Sequence, residues 1–194
     1  MTSQELVALL ERSGAMLQGH FVLSSGRHSN RFIQKFRIFE DPAIAEVVCA
    51  ELAAALRAAA PQVIISAAIG GIIPGYIVAK ALGVRNIFVE KEVDRPVLRR
   101  GFRLAAGERA AVVEDVMTTG KSALEVAELA RRLGAQVVAI AAIVRRGAVD
   151  SGPPAIALLD LPLADYPAAD CPLCNAGIPL QDPGSRRSKT ATAT

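Results

Sequence analysis

The chain alternates short, unbroken apolar runs with stretches whose apolar positions recur every three to four residues. Residues 63–67, 86–90, 110–114, 137–144 and 155–161 are of the first kind, the pattern of strands buried on both faces. Residues 121–133 are of the second kind: Val126, Leu129, Ala130 and Leu133 share one face, and Gly134 stops the helix. Residues 74–82 read as a helix ended by Gly83. Asp41-Pro42 starts another, with Asp as cap and Pro in the first turn, running to about residue 60 before Pro61. Residues 3–12 read as a helix with Ser3 as cap and Gly14 as stop. From 19 to 39 apolar residues alternate loosely around Ser24-Ser25-Gly26, which predicts short strands and a turn. Residues 91–103 have no clear period and predict a loop or a loose hairpin.

Strands that alternate with helices pair in parallel through right-handed crossovers, so the expected class is α/β with a central, mostly parallel sheet. Ligands of such sheets bind beyond the carboxyl ends of the strands. The loops at 68–73, 91–103, 115–121 and 145–154 all follow strands and are expected to gather at that edge.

One run concentrates the chemistry. The apolar stretch 110–113 leads into Glu114 and Asp115, then Val116-Met117-Thr118-Thr119-Gly120-Lys121-Ser122, where the helical pattern begins. Two acids at a strand tip suit sugar hydroxyls, or water on a metal. Small residues before a helix can wrap backbone N–H groups around a phosphate. Together they point to a phosphorylated sugar. Gly120-Lys121-Ser122 also looks like the tail of a triphosphate-binding loop, but that loop needs a glycine where Asp115 stands, and a carboxylate there would repel the phosphates.

Composition narrows the alternatives. The 194 residues fit one domain with a sizeable core, assigned here to 1–182. The net charge of +3 sits entirely on residues 183–194, as Arg186, Arg187 and Lys189, a tail expected to be disordered. A neutral body with 4% aromatics argues against nucleic-acid binding. No apolar run approaches the roughly 20 residues that span a bilayer, and no signal-peptide pattern opens the chain, so a cytoplasmic protein is expected. Cys49 falls in a helical pattern and reads as a core residue. Cys171-Pro-Leu-Cys174 has the spacing of half a zinc site or a redox pair. With no second cysteine pair, and only His20 and His28 as histidines, a metal site there is expected to need a partner chain.

The 110–122 run resembles the phosphoribosyl-diphosphate motif of the type I phosphoribosyltransferases. The likeness narrows to the orotate-using branch over nearly the whole chain. It is carried by Gly14-Ala15, by residues 19–29, by Glu90-Lys91-Glu92, by Arg99-Arg100-Gly101-Phe102 and by residues 170–180. The resemblance implies the type I fold, with a small hood built from about 14–40 and 162–182. It implies transfer of a 5-phosphoribosyl group from its diphosphate to orotate, with Mg²⁺ as cofactor. The metal would be held by the substrate rather than by direct protein ligands, with Asp115 reaching it through water.

The resemblance also distributes roles. Glu114 and Asp115 would hold the ribose hydroxyls, while Thr118, Thr119, Gly120 and Ser122, with Val116, Met117 and Lys121 around them, would take the 5′-phosphate. Gly70 and Gly71, in a loop where many members carry a lysine, would offer amides to the diphosphate. The segment 91–103 holds five basic residues against two acids and would close over the leaving group, with Lys91 and Arg95 as its contacts, in a homodimer that shares this loop between subunits. Arg146, Thr118 and a stacking Phe32 would bind orotate. Ser24 stands where many members have a substrate-binding lysine, and Arg145 where they have an acid. Weaker alternatives are a purine phosphoribosyltransferase, or a non-catalytic regulator on the same fold.

Overall fold

A computed structural model describes residues 1–23, 25–93, 95–149, 152–162 and 164–183. The expectations for Ser24, Asp94 and 184–194 lie outside the described residues.

Helix α1 (Ser3–Arg12) begins one residue earlier than the pattern suggests. Thr2, not Ser3, is the cap: its hydroxyl accepts from Glu5 N, and the Glu5 carboxylate accepts from Thr2 N. Strands β1 (Met16–Val22) and β2 (His28–Ile33) form an antiparallel hairpin. A short helix α2 (Arg37–Glu40), not foreseen, precedes α3 (Pro42–Leu56), which Asp41 caps through Ala43 N. Past Leu56 the chain tightens into a 3₁₀ turn (Arg57–Ala59), and the Arg109 guanidinium donates to the carbonyls of Ala59 and Ala60.

The rest alternates as expected: β3 (Val63–Ala67), α4 (Ile72–Leu82), β4 (Arg85–Glu92), β5 (Arg95–Leu98), β6 (Arg109–Met117), α5 (Lys121–Arg132), β7 (Gln136–Arg145) and β8 (Ala155–Asp160). These strands form one six-stranded sheet in the order β5-β4-β3-β6-β7-β8. All its pairs are parallel except β4–β5, the hairpin read from the aperiodic segment. Beyond β8 come β9 (Asp165–Tyr166), a 3₁₀ turn (Ala168–Asp170) and α6 (Pro172–Asn175).

The sheet is covered on both faces, which is why its central strands read as solid apolar runs. Ile64, Ala111, Val113 and Ala141 pack with α3 residues such as Val48 and Leu52. Ile65, Val112, Ile140 and Ala142 pack with Ala123, Val126 and Ala130 of α5. A second sheet, β1-β2-β9, joins the two chain ends. Strand β9 pairs with β2, and Phe21 bridges to Gln181, so the segments around 14–40 and 162–182 meet in space.

Candidate active site

Glu114 and Asp115 do not stand at a strand tip. Strand β6 continues to Met117 and pairs with β7 as far as Met117↔Arg145. Both acids are therefore buried, at 8% and 1% exposure. Their partners differ. Asp115 Oδ2 lies 2.9 Å from Lys35 Nζ, and its Oδ1 accepts from Val116 N at 2.6 Å. Glu114 has an oxygen, Oε1, with no hydrogen-bond partner among the described residues. Desolvation, and then the neighbouring Asp115 charge, push the Glu114 pKa up to about 7, against the opposing pull of Ser122, Lys35 and Lys91.

The turn after β6 leaves helix α5 open. Gly120 occupies the cap position with φ 73° and has no side chain to cap with, so the first turn has only a long bond from Lys121 N to Thr119 Oγ1, 3.4 Å. Helices α1 and α3, in contrast, spend a side-chain oxygen on that task. The uncapped N–H groups and the positive end of the helix dipole suit an anion. Gly120 is required twice over: its φ is left-handed, and a Cβ there would meet Val149 Cγ2 at 2.9 Å. A cavity of about 370 Å³ is walled by Lys91, Glu114, Val116, Met117, Thr118, Thr119, Gly120, Lys121 and Ser122. The residues expected at the 5′-phosphate thus share one cavity with Glu114 and Lys91, whereas Asp115, 1% exposed, is not on its wall. Lys91, at the end of β4, stands on its own chain's wall, 3.7 Å from Glu125. Arg95 lies on an adjoining groove with Thr119, Lys121 and Leu124.

Lys35 was not anticipated, since no motif marks it. It follows β2 directly, and the docking of the hood hairpin carries it to Asp115. Gly70 faces the same pair: a Cβ on it would lie 2.3 Å from Asp115 Oδ2 and 2.8 Å from Lys35 Nζ. Position 70 therefore has no space for a lysine beside this pair, and the cation at Asp115 is Lys35, which follows β2. Gly71 is equally confined, against the carbonyls of Ala67 and Val113.

Arg145 and Arg146 part company. Arg145 forks onto Asp160 at 2.5 and 2.9 Å and ties β7 to β8. Arg146 is half-buried, and its Nε has no hydrogen-bond partner among the described residues. Burial lowers its pKa from the ordinary guanidinium value, and Asp165 pulls the other way. Both arginines wall a pocket with Gly147 and Pro162. Phe32 stays in the hood sheet, its ring 5.9 Å from that of Phe21.

The cysteine pair is not half a site. His20, His28, Cys171 and Cys174 of the same chain bring four ligand atoms within 4.8 Å of one another. The expectation that a partner chain must complete a metal site fails, because β1 and β2 place both histidines against the C-terminal segment.

No family model matches the chain. It is 48% identical over 183 residues to an orotate phosphoribosyltransferase of Thermotoga petrophila, covering 93% of this chain and 98% of that protein. Identity is also 48%, over 189 residues, to an orotate phosphoribosyltransferase of Pelotomaculum thermopropionicum, covering 96% of this chain and 100% of that protein. Among solved structures, an orotate phosphoribosyltransferase from Aeropyrum pernix matches with a TM-score of 0.68 and 28% identity, over 79% of this chain and 92% of that one. Such identity over nearly the full length places the chain in the orotate phosphoribosyltransferase family.

Proposed function

We propose that this chain transfers the 5-phosphoribosyl group from 5-phospho-α-D-ribose 1-diphosphate to orotate, giving orotidine 5′-phosphate and diphosphate in pyrimidine nucleotide synthesis. The observation that carries the reading is the single cavity joining a buried, half-satisfied Glu114 to the uncapped start of α5.

Orotate is already an anion with a nucleophilic ring nitrogen, so no strong base is needed. The barrier lies in the positive charge that develops at the anomeric carbon. Glu114 and Asp115 hold the 2′- and 3′-hydroxyls, with Lys35 fixing the Asp115 carboxylate. The free Oε1 of Glu114 is suited to a hydroxyl donor or to water on a hard cation. The residues fit Mg²⁺ bound mainly by substrate oxygens, where it would supply Lewis-acid assistance to diphosphate departure. The N–H groups of Thr118, Thr119, Gly120 and Ser122 take the 5′-phosphate. Lys91 and Arg95 screen the leaving group, beside the amides of Gly70 and Gly71. Arg146, with an unpartnered Nε, takes the orotate carboxylate or a ring carbonyl, Thr118 borders the base, and Phe32 stacks on it. We assign a homodimer working in the cytoplasm, with Lys91 serving its own chain's site, since it faces that cavity. No helix of the described residues is long and apolar enough to cross a membrane.

The test follows the loss of orotate absorbance with sugar diphosphate and Mg²⁺, using adenine and hypoxanthine as control acceptors. Turnover of orotate alone is expected. Turnover of a purine instead would overturn the acceptor assignment. Arg146→Ala should raise the orotate KM by about 10-fold or more, the worth of a charge-assisted hydrogen bond, with little change in the donor KM. Equal effects on both substrates would remove Arg146 from the base pocket.

A further inference from the structure

We propose that His20, His28, Cys171 and Cys174 form a closed tetrahedral Zn²⁺ site that clamps the C-terminal segment onto the hood hairpin. The four residues come from three places: β1, β2, and the Cys-x-x-Cys turn that opens α6. His20 Nε2 lies 3.0 Å from His28 Nδ1, 3.5 Å from Cys171 Sγ and 3.7 Å from Cys174 Sγ. Cys174 Sγ lies 3.4 Å from His28 Nδ1. Zinc–ligand bonds of about 2.0–2.3 Å give a tetrahedron with edges of about 3.3–3.8 Å. These four separations are near those edges, with the histidine nitrogens slightly closer, and the remaining two pairs lie within 4.8 Å.

The contact on the far side of the His20 ring agrees. His20 Nδ1 is 2.7 Å from the Ile178 carbonyl, to which it donates. That bond fixes the tautomer, so the Nε2 lone pair faces the other three ligand atoms, as in metal-bound histidines. Hydrogen bonding alone serves the cluster poorly. His20 Nε2 then offers one lone pair to His28 Nδ1 and two thiols, and if Cys174 donates to His28 Nδ1 instead, two ring lone pairs oppose each other at 3.0 Å, in a region where His20, His28 and Cys171 are buried. A divalent ion uses all four lone pairs. Two thiolates also neutralise its charge, which a buried site requires. Two sulfurs and two imidazole nitrogens select a borderline-soft tetrahedral ion, hence zinc rather than magnesium or calcium.

Four protein ligands leave no open position, so the ion is structural. The segment it would hold needs such a tie. Residues 164–182 form a two-residue strand, a 3₁₀ turn and a four-residue helix, and Cys171 is the one fully buried side chain among them. The clamp also bears on the catalytic region at both ends. Strand β2 runs from His28 through Phe32 toward Lys35, and Asp165 of the C-terminal segment acts on Arg146.

Untagged, full-length protein should contain about one zinc per chain by inductively coupled plasma mass spectrometry. Cobalt reconstitution should give the visible bands of a tetrahedral ion and a thiolate charge-transfer band in the near-ultraviolet. Cys174→Ser, at an exposed position, and His28→Ala should each lower zinc content and remove or shift those bands. Three results would overturn the proposal. One is folded wild-type protein that takes up no zinc or cobalt after reduction and reconstitution. Another is a Cys171–Cys174 disulfide, seen by mass, that persists in freshly prepared protein. The third is metal content unchanged in both variants, which would place the ion elsewhere.

Discussion

Glu114 is a carboxylate kept where charge is costly. Its pKa rises from 4.5 to about 7 because burial and Asp115 both oppose ionisation. Between those values the folded chain retains a proton that the unfolded chain has released. Stability therefore falls as pH rises through that window and levels off above 7. The full cost is about 3 kcal/mol at neutral to basic pH. Glu114→Gln removes the charge at nearly constant shape. It should make the ligand-free protein more stable than the parent at pH 8, with the gap closing toward pH 4.5. Urea unfolding at several pH values reads this directly, and a gap independent of pH would show that Glu114 does not carry the raised pKa. On the proposed function, a ribose hydroxyl donating to Glu114 would favour the charged form, so the stability given up there would return as donor binding. Lys35 and Gly70 belong to this scale too, since one supplies the cation at Asp115 and the other leaves space for it.

The functional element is the β6–turn–α5 unit, in which a strand delivers acids and a helix begins without a cap. Most of it is readable from the thirteen consecutive residues 110–122, because strand, turn and helix start are all local and the apolar periods on either side fix their types. What the residues alone do not mark is where the strand ends. Pairing with β7 prolongs β6 to Met117, and so the acids lie inside the sheet edge rather than beyond it. Pairing likewise turned the aperiodic 91–103 segment into the β4–β5 hairpin, where register decides structure and side-chain period does not. Gly120→Ala probes the unit. A left-handed residue other than glycine costs about 1–2 kcal/mol, and the added methyl would press on Val149. Thermal unfolding should register a lowered midpoint. If this turn holds the 5′-phosphate as proposed, the donor KM should rise more than the orotate KM, because the amides around Gly120 shift. An unaltered donor KM would argue that the phosphate binds elsewhere.

At the scale of the molecule, the sheet β1-β2-β9 joins an early and a late segment of the described chain, with Lys35 at Asp115 and Asp165 acting on Arg146. Assembly adds one further question, answered by mixing inactive chains. If Lys91 serves its own chain, as its place on the cavity wall implies, combining Lys91→Ala with Asp115→Asn subunits leaves every site defective and restores nothing. Were Lys91 lent to a neighbour, half the dimers would hold one intact site, and about a quarter of wild-type activity would return.

The amino-acid order alone gave the α/β class and the parallel core strands, and it singled out the acids at 114–115, the turn before α5 and the basic segment as candidates. Each of these is written within a few neighbouring residues, as a period, a cap or a spacing. Folding alone decided that Lys35 meets Asp115, that Arg145 and Arg146 take different partners, and that two histidines near the start converge on two cysteines near the end. The lysine–aspartate and histidine–cysteine contacts span 80 and about 150 residues of chain, and Arg145 meets Asp160 only through the pairing of β7 with β8. Partners of this kind are chosen by how the segments pack together, and no local pattern encodes that.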